Sequence, residues 1–285
     1  MKTNAKPPNS SRPLRYTRVL SIAGSDCSGG AGVQADLKTF AALGCYGMSA
    51  ITVLTAQNTQ GVQGIHAPPP EFLAAQIDAV LQDVGADAVK IGMLHAPEVV
   101  AVVAAAIDRY ALGRVVLDPV MVSATGARLI EPAAASAVVA ELFPRVQIIT
   151  PNLDEAALLL GRPVASAADM LPAAQALLDL GAAAVLLKGG HLAGAVVHDV
   201  LLQAGAAPVH LQHQRVATGN LHGAGCTLSS AIAAHLALGA DLTAAVGLAC
   251  DFVHQALLAG AEVKTGQGTG PLNHGFAPLP MVLQS

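Results

Sequence analysis

Short apolar runs alternate with alanine-rich stretches of helical length along most of the chain. The apolar runs predict strands, among them Tyr16 to Ala23 and Ala183 to Leu187. The stretches between such runs predict helices, such as Pro70 to Gln82, which a proline opens, and Pro97 to Arg109. Strands that alternate with helices of about 10 to 15 residues indicate βαβ units. The pattern therefore predicts an α/β fold with a mostly parallel central sheet and helices on both faces.

The C-terminal part of the chain has a different order of elements. Two neighbouring runs, Val197 to Leu202 and Val209 to His213, predict a pair of strands. Two long helices follow, from about Cys226 to Leu238 and from Leu242 to Ala261. No long linker and no internal repeat interrupts the chain, so we expect one domain.

The N-terminal segment differs in composition from the rest of the chain. Its first 18 residues include five basic residues, three prolines and no acid. The segment lacks the apolar core of a secretory signal. We therefore expect residues 1–16 to form a disordered extension and residues 17–285 to form the folded domain.

Composition and charge narrow the functional class. Hydrophobic residues make up 53% of the chain and charged residues 12%, which excludes disorder of the whole chain. The net charge of −4 argues against nucleic acid as a partner. The four cysteines form no CxxC pair, so we expect reduced thiols in a cytoplasmic protein rather than disulfides or structural zinc. Every long apolar run is broken by Gly, Pro or charge, and the sequence predicts no membrane span.

Glycine-rich turns follow several predicted strands, at the positions where open α/β sheets bind ligands. The first turn spans Gly24 to Gly32 and leads into a helix. Its glycines let the backbone approach a ligand closely, and the helix presents its N-terminus to an anion. A tight strand-to-helix turn explains the same residues equally well.

A second glycine turn, Asn220 to Thr227, opens a long apolar helix and carries a thiol in its first turn. Gly223 and Gly225 expose backbone N–H groups where the helix dipole favours negative charge. Such a turn suits the charge that develops on a phosphoryl group during transfer. A thiol at a helix N-terminus has a lowered pKa, so we expect Cys226 to accept a proton from a substrate hydroxyl near pH 7. The alternative is a buried structural cysteine.

Polar side chains follow four other predicted strands. Asn152 and Glu155 stand at capping-box spacing, and their oxygens also suit a Mg²⁺–phosphate site. Lys188, followed by two glycines, can reach a phosphate, and Asp118 can bind magnesium or cap a turn. The amide of Gln57 offers one acceptor and two donors in a plane, which matches the edge of an aminopyrimidine. Each of these residues also has a purely structural explanation.

Seven motifs occur in one order along the chain: GSDCSGGAGVQADLKTFAALGCYG, TAQNTQGV, KIGML, LDPVM, TPNLDEA, LLKGGH and HGAGCT. In this order they resemble the hydroxymethylpyrimidine/phosphomethylpyrimidine kinase family, and the similarity runs from about Val19 to Asn273. The resemblance implies a ribokinase-like fold, which is a three-layer α/β/α domain without a large separate lid. It also implies ATP and Mg²⁺ as cofactors, a small pyrimidine as substrate and a homodimer.

The implied reaction is a pair of ATP-dependent phosphorylations at one site in thiamine biosynthesis. The hydroxymethyl group of 4-amino-5-hydroxymethyl-2-methylpyrimidine is phosphorylated first, and the monophosphate then becomes the diphosphate. The resemblance makes Cys226 the catalytic residue. The implied pyrimidine contacts are Gly24, Asp36, Gln57 and Met93. The implied anion hole and phosphate contacts are Gly223, Ala224, Gly225 and Lys188. The implied magnesium site comprises Asp118, Asn152 and Glu155, in part through water.

The chain departs from the family pattern at three positions. Leu221 and Ala224 replace threonines that are common in the anion-hole motif, and Gln267 replaces a lysine that is common in a late glycine-rich turn. If that lysine holds a phosphate, its absence affects the second phosphorylation.

Two other functions fit the same fold. One is a pyridoxal kinase, although the segment Gly189 to Val200 lacks the cysteine that such enzymes are thought to use there. The other is a non-catalytic sensor of pyrimidine phosphates, for which we would expect Cys226, Glu155 or the glycine turn to be missing.

Overall fold

The structure is a computed structural model, and it describes residues 14–121 and 130–284. Most of the N-terminal extension expected at residues 1–16 lies outside these ranges. Two of its residues, Arg15–Tyr16, form a short strand, β1, that pairs antiparallel with β11 (Leu283–Gln284). The Arg15 guanidinium also lies 2.7 Å from the carboxylate of Asp87. This two-stranded ribbon joins both ends of the described chain.

Nine further strands of the described residues form the central sheet, in the spatial order β10-β9-β8-β7-β6-β5-β2-β3-β4. They are β2 (Arg18–Asp26), β3 (Tyr46–Asn58), β4 (Gly61–His66), β5 (Ala88–Ile91), β6 (Val115–Leu117), β7 (Ile148–Ile149), β8 (Ala184–Leu187), β9 (Val196–Gln203) and β10 (Val209–Gln214). The six strands from β8 to β3 in this order run parallel, and β4, β9 and β10 are antiparallel to their neighbours. The predicted mostly parallel sheet is therefore confirmed. The predicted pair of strands near residues 197–213 is also confirmed and corresponds to β9 and β10.

Helices cover both faces of the sheet. They are α1 (Gly32–Ala42), α2 (Pro70–Asp83), α3 (Pro97–Arg109), α4 (Pro132–Ala137), α5 (Leu153–Leu160), α6 (Ala167–Asp179), α7 (Ala224–Ala237) and α8 (Leu242–Gly260). Alternate residues of a strand point to opposite faces. On β2, Leu20 and Ile22 pack in the cluster that contains the buried residues of α2, α3 and α6, whereas Val19 packs with those of α1, α7 and α8. This is the three-layer α/β/α architecture that the sequence predicted.

Differences from the predicted elements are local. Helix α4 ends at Ala137 and continues as one π-helical turn, Val138–Leu142. Strand β4 was not predicted because Gly61–His66 contains two glycines and only two apolar side chains. It pairs with the end of β3 and forms the edge of the sheet.

One helix in the described part of the chain, α8, is long and apolar enough to cross a membrane by length and composition. It packs on α7. Its side chains Ala245, Val246 and Ala249 are fully buried in the core cluster that also contains Val19 of β2. One face of α8 therefore belongs to the core of the domain.

A buried ion pair joins four elements beneath the carboxyl end of the sheet. Lys90 in β5 and Asp36 in α1 have no exposed side-chain surface, and the Lys90 Nζ lies 2.9 Å from the carboxylate. The hydroxyls of Ser21 in β2 and Ser230 in α7 each donate to Asp36 at 2.6 Å. Burial works to lower the pKa of Lys90, but the Asp36 carboxylate raises it above its ordinary value. The ion pair therefore ties α1 and α7 to the sheet.

We predict that Lys90→Met destabilises the protein by about 3–5 kcal/mol, because it leaves a buried carboxylate without its counter-ion. The double variant Lys90→Met/Asp36→Asn removes both charges and should recover most of this loss. Urea denaturation followed by circular dichroism measures both effects. Equal denaturation midpoints for Lys90→Met and the wild type would contradict the structural role of the pair.

Candidate active site

Polar residues collect where the parallel strands end. Asp26 is the last residue of β2, Met93 follows β5, Asp118 follows β6, Asn152 follows β7 and Lys188 follows β8. The carboxyl ends of parallel strands meet at one edge of the sheet, which is where open α/β folds bind ligands. The prediction that polar residues follow strands holds for Asp118, Asn152 and Lys188, whereas Gly24 and Gln57 lie within the last residues of β2 and β3.

An ammonium–carboxylate pair stands at the ends of β6 and β8. The Lys188 Nζ lies 2.9 Å from Asp118 Oδ1, and the Thr150 hydroxyl donates to the same oxygen at 3.0 Å. Burial works to raise the pKa of Asp118, but the charges of Lys188 and Lys90 hold it below its usual range. Lys188 remains partly exposed, so its ammonium group is placed to meet a second anion.

Glu155 and Asn152 begin α5 with a complete capping box. The Asn152 side chain accepts from the Glu155 N–H at 2.9 Å, and the Glu155 carboxylate accepts from the Asn152 N–H at 2.8 Å. The structural explanation of this motif is thus confirmed. Burial, assisted by the nearby Asp118 charge, raises the pKa of Glu155 to about 7, although Lys188 acts against this rise. A cation close to Glu155 would favour its ionised form.

The first turn of α7 meets this charged group. A Cβ added at Gly225 would lie 3.2 Å from the Lys188 Nζ and 3.6 Å from the Asp118 carboxylate. The Ala224 N–H already donates to Leu221 at 3.1 Å, so this amide is not available to the predicted anion hole as it stands. The amides of Gly225 and Cys226 are the first-turn donors that remain for an anion. An anion bound there would also touch Lys188.

Cys226 lies in the first turn of α7, as the sequence predicted, and is half-buried there. The prediction that its pKa is lowered is wrong. Burial raises the pKa of the thiol to about 11, although the Lys90 ammonium group works to lower it. The carboxylates of Asp36 and Asp118 add to the rise. The desolvation of the sulfur outweighs the helix dipole on which the prediction was based. The resting state of Cys226 is therefore the thiol.

The predicted pyrimidine contacts divide into two groups. Gly24 packs closely against two buried side chains, since a Cβ there would stand 2.9 Å from Val53 and 3.6 Å from the Met93 sulfur. Gln57 is half-buried near the end of β3. Asp36 is different, because its carboxylate is fully buried and engaged by Lys90 and two serines. The structure therefore assigns Asp36 to the support beneath the site and not to the surface that meets a ligand.

Two residues that the sequence analysis did not single out hold the two glycine turns together. The carboxylate of Asp26 accepts from the N–H groups of Ser28, Gly30 and Ala31, and from the His222 Nε2 at 2.8 Å. Burial works to raise the pKa of Asp26, but these donors, above all His222, lower it to about 2. Both residues stand inside the recognised motifs, which was the available signal. Their shared hydrogen bond could not be seen in the sequence because 196 positions separate them.

Glycine is required where the two turns touch. Gly223 has φ +83°, and a Cβ at this position would overlap the carbonyl oxygen of Gly30. A Cβ at Gly30 would in turn overlap the ring of His222. These contacts bring the first glycine turn against the start of α7, close to Cys226.

Comparisons with known proteins show the family of the chain. A family model described as phosphomethylpyrimidine kinase matches residues 26–273. A hydroxymethylpyrimidine/phosphomethylpyrimidine kinase of Rhizobium meliloti is 49% identical over 90% of this chain and 96% of its own length. The protein of the same name from Escherichia coli is 44% identical over 92% of this chain and 98% of its own length.

Solved structures with the same fold include two kinds of vitamin kinase. The phosphomethylpyrimidine kinase of Clostridium difficile has a TM-score of 0.74 and 41% identity, and covers 84% of this chain and 99% of its own. A pyridoxal kinase of Staphylococcus aureus in complex with AMP-PCP and pyridoxal has a TM-score of 0.83 and 34% identity, over 92% and 94% of the two chains. The expected ribokinase-like fold is confirmed, and the chain belongs to the phosphomethylpyrimidine kinase family.

Proposed function

We propose that this chain uses ATP to phosphorylate 4-amino-5-hydroxymethyl-2-methylpyrimidine, and then its monophosphate, in thiamine biosynthesis. The proposal rests on one observation above others: the first turn of α7 brings Cys226 and the Gly225 amide against the Lys188–Asp118 pair. A thiol, backbone donors and an ammonium group at one point are the parts that phosphoryl transfer to a hydroxyl group needs. The names of the relatives supply the substrate class.

In this proposal, Lys188 and the amides of Gly225 and Cys226 hold the migrating phosphoryl group. Lys188 contributes a charge, and the amides contribute oriented dipoles that need no rearrangement when charge develops. Phosphoryl transfer requires little covalent chemistry from the protein, so positioning and charge neutralisation supply most of the rate.

The acidic residues fit a magnesium ion that is bound mainly through phosphate and water. Within residues 14–121 and 130–284, no group of three or more His, Cys, Asp and Glu side chains is placed to form a metal cage. Mg²⁺ is commonly held by one or two carboxylates together with substrate phosphates and water. Asp118 and Glu155 are two such carboxylates, and the amide of Asn152, which caps α5 beside Glu155, offers a further oxygen. When bound, Mg²⁺ neutralises phosphate charge.

Cys226 accepts the proton of the substrate hydroxyl in its thiolate form. Because burial raises the pKa of this thiol to about 11, the reactive fraction grows as pH rises through the alkaline range. The ammonium group of Lys90 acts in the opposite direction to burial and favours the thiolate.

The proposal includes a homodimer in the cytoplasm. Strand β4 is one of the two end strands of the sheet, and large apolar side chains are exposed beside it. These are Leu54, Ile65 and Phe72, which are 45–58% exposed. Burial of this surface against a second copy would remove it from water.

A second candidate function is pyridoxal phosphorylation. It is favoured by the similarity to the Staphylococcus aureus pyridoxal kinase, which extends over 92% of this chain. Both substrates present a hydroxymethyl group on an aromatic heterocycle, so the same phosphoryl-transfer residues would serve either one.

A product assay separates the two functions. Purified protein with ATP and Mg²⁺ should convert hydroxymethylpyrimidine to its monophosphate and then its diphosphate, and should phosphorylate pyridoxal more slowly. Chromatography of the products measures all three. If neither compound consumes ATP, the proposed function is wrong and the sensor alternative gains support.

We predict that Cys226→Ala lowers kcat by about 10²–10⁴-fold, the usual contribution of a general base. In the wild type, kcat/KM should rise with pH through the alkaline range, and this rise should be absent in the variant. Cys250→Ala is the matched control, because that thiol is buried in α8 away from the site. A near wild-type kcat for Cys226→Ala would refute the role of the thiol.

We predict that the apparent affinity for Mg²⁺ increases as pH rises through about 7, because Glu155 loses its proton in this range. Glu155→Gln keeps the capping box, since glutamine also serves at that position, but should weaken Mg²⁺ binding and abolish its pH dependence. Magnesium titrations of the kinase rate on both sides of neutrality test this. A wild-type Mg²⁺ requirement that does not change with pH would exclude this role of Glu155.

A further inference from the structure

The tip of the hairpin between β3 and β4 is bonded to a glycine-rich turn near the C-terminus, Gly266 to Gly270. The hydroxyl oxygen of Thr59 accepts from the N–H of Gln267 at 3.2 Å and from the N–H of Gly268 at 3.1 Å. The Thr59 carbonyl accepts from the N–H of Thr269 at 3.0 Å. One threonine therefore binds three successive amides of the turn, and we call these three hydrogen bonds the Thr59 clasp.

Two glycines let the turn approach the hairpin so closely. A Cβ at Gly266 would overlap the Thr59 hydroxyl, and a Cβ at Gly268 would overlap the Thr59 carbonyl oxygen. Gly266 also has φ +74°, in the left-handed region that favours glycine, whereas the backbone of Gly268 lies outside that region. At Gly268, the contact with Thr59 alone therefore explains why a side chain is missing.

The clasp completes a ring of contacts around the candidate site. The same turn continues to Gly270, whose carbonyl accepts from the N–H of His222 at 3.0 Å. His222 is bonded in turn to Asp26 of the first glycine turn. The Cys27 thiol of that turn donates to the carbonyl of Gln57 at 3.2 Å and accepts from its N–H at 3.4 Å, which leads back to the hairpin. Gln57 therefore belongs to a ring that the Thr59 clasp closes.

The end of the hairpin has few other contacts to hold it in place. Strand β3 pairs with β2 only as far as Thr55, and beyond this residue β3 and β4 pair with each other. Every residue of β4 is exposed or half-buried. A two-stranded hairpin with so little buried surface is only marginally stable. The clasp therefore has a large influence on how often this end of the hairpin is closed.

We propose that the Thr59 clasp holds Gln57 in place for the pyrimidine, which makes Thr59 a positioning residue for substrate binding. This inference rests on the proposed function, which assigns Gln57 to the pyrimidine. It also gives the late glycine-rich turn a role. The backbone amides of this turn hold Thr59 and not a phosphate, so this role does not need the lysine that Gln267 replaces.

The test opens the clasp from either side. Thr59→Val replaces the hydroxyl by a methyl group and removes two of the three hydrogen bonds, whereas Thr59→Ser retains them. Gly268→Ala places a methyl group against the Thr59 carbonyl, on a backbone that accepts alanine. Gln60→Ala is the matched control, because Gln60 is exposed at the same tip and its side chain forms none of the three bonds.

Titration calorimetry with hydroxymethylpyrimidine measures the effect on binding. Thr59→Val and Gly268→Ala should raise the dissociation constant about 3- to 30-fold, because the binding-competent hairpin is populated for a smaller fraction of the time. Thr59→Ser and Gln60→Ala should bind as the wild type does.

The rate at saturating pyrimidine separates positioning from a general loss of structure. For Thr59→Val, kcat should stay within about twofold of the wild type, as expected when a mutation removes only binding that the ground and transition states share. A general loss of structure would lower kcat through the fraction of active protein and leave the dissociation constant of the folded protein unchanged.

Hydrogen exchange tests the clasp without any substrate. The amides of Gln267 and Gly268 should exchange about 3- to 30-fold faster in Thr59→Val than in the wild type, because they lose their acceptor. Addition of hydroxymethylpyrimidine should slow their exchange in the wild type. Equal exchange rates in Thr59→Val and the wild type would overturn the clasp.

The possible outcomes separate this inference from the proposed function. A wild-type dissociation constant in Thr59→Val would overturn the positioning role, even if the enzyme is an active pyrimidine kinase. Tight binding of the pyrimidine without phosphorylation would overturn the proposed function, while the dissociation constants still decide on the clasp. If the wild type binds no hydroxymethylpyrimidine, both proposals are wrong.

Discussion

The structure depends on the close contact of two glycine turns that are far apart in the sequence. The backbone of Gly223 lies against the carbonyl of Gly30 with no room for a side chain, and the hydrogen bond from His222 to Asp26 fastens the two turns together. Through this contact the first turn of α7, with its thiol, is held beside the strand ends. Any side chain at either glycine would separate the two turns, and the residues of the site would then no longer face a common space.

Charge is balanced in pairs around this contact. Lys90 neutralises Asp36 below Cys226, and Lys188 neutralises Asp118 beside it. Both pairs are largely buried, and charges interact more strongly in such a low-dielectric environment than in water. Burial of the groups themselves is the main reason why Cys226 is uncharged and Glu155 is about half-ionised at neutral pH, and the nearby Asp118 carboxylate adds to both shifts. A site with this distribution of charge suits a ligand that carries both negative and positive groups, such as the ATP and Mg²⁺ of the proposed function.

The architecture was predictable because it depends on local patterns. Helix α3, for example, begins and ends at the predicted residues, because a proline at the start of a periodic apolar stretch carries its own signal. The long-range environment of single side chains was not predictable. The pKa of Cys226 is raised mainly by desolvation, and Asp36 in α1 is covered by Lys90 from β5. Neither effect can be inferred from the residues that are adjacent to Cys226 or Asp36 in the sequence. The motifs therefore point to the strand ends where these residues gather, but they do not separate the residues proposed to meet the ligand from those that support them.

The most direct test of the account is a crystal structure with the hydroxymethylpyrimidine substrate and a non-hydrolysable ATP analogue. The account predicts that the substrate hydroxyl lies within hydrogen-bonding distance of the Cys226 sulfur, with the γ-phosphate on the amides of Gly225 and Cys226 and near Lys188. It also predicts that the aminopyrimidine edge meets Gln57. A pyrimidine bound elsewhere, or a γ-phosphate that does not touch the first turn of α7, would contradict it.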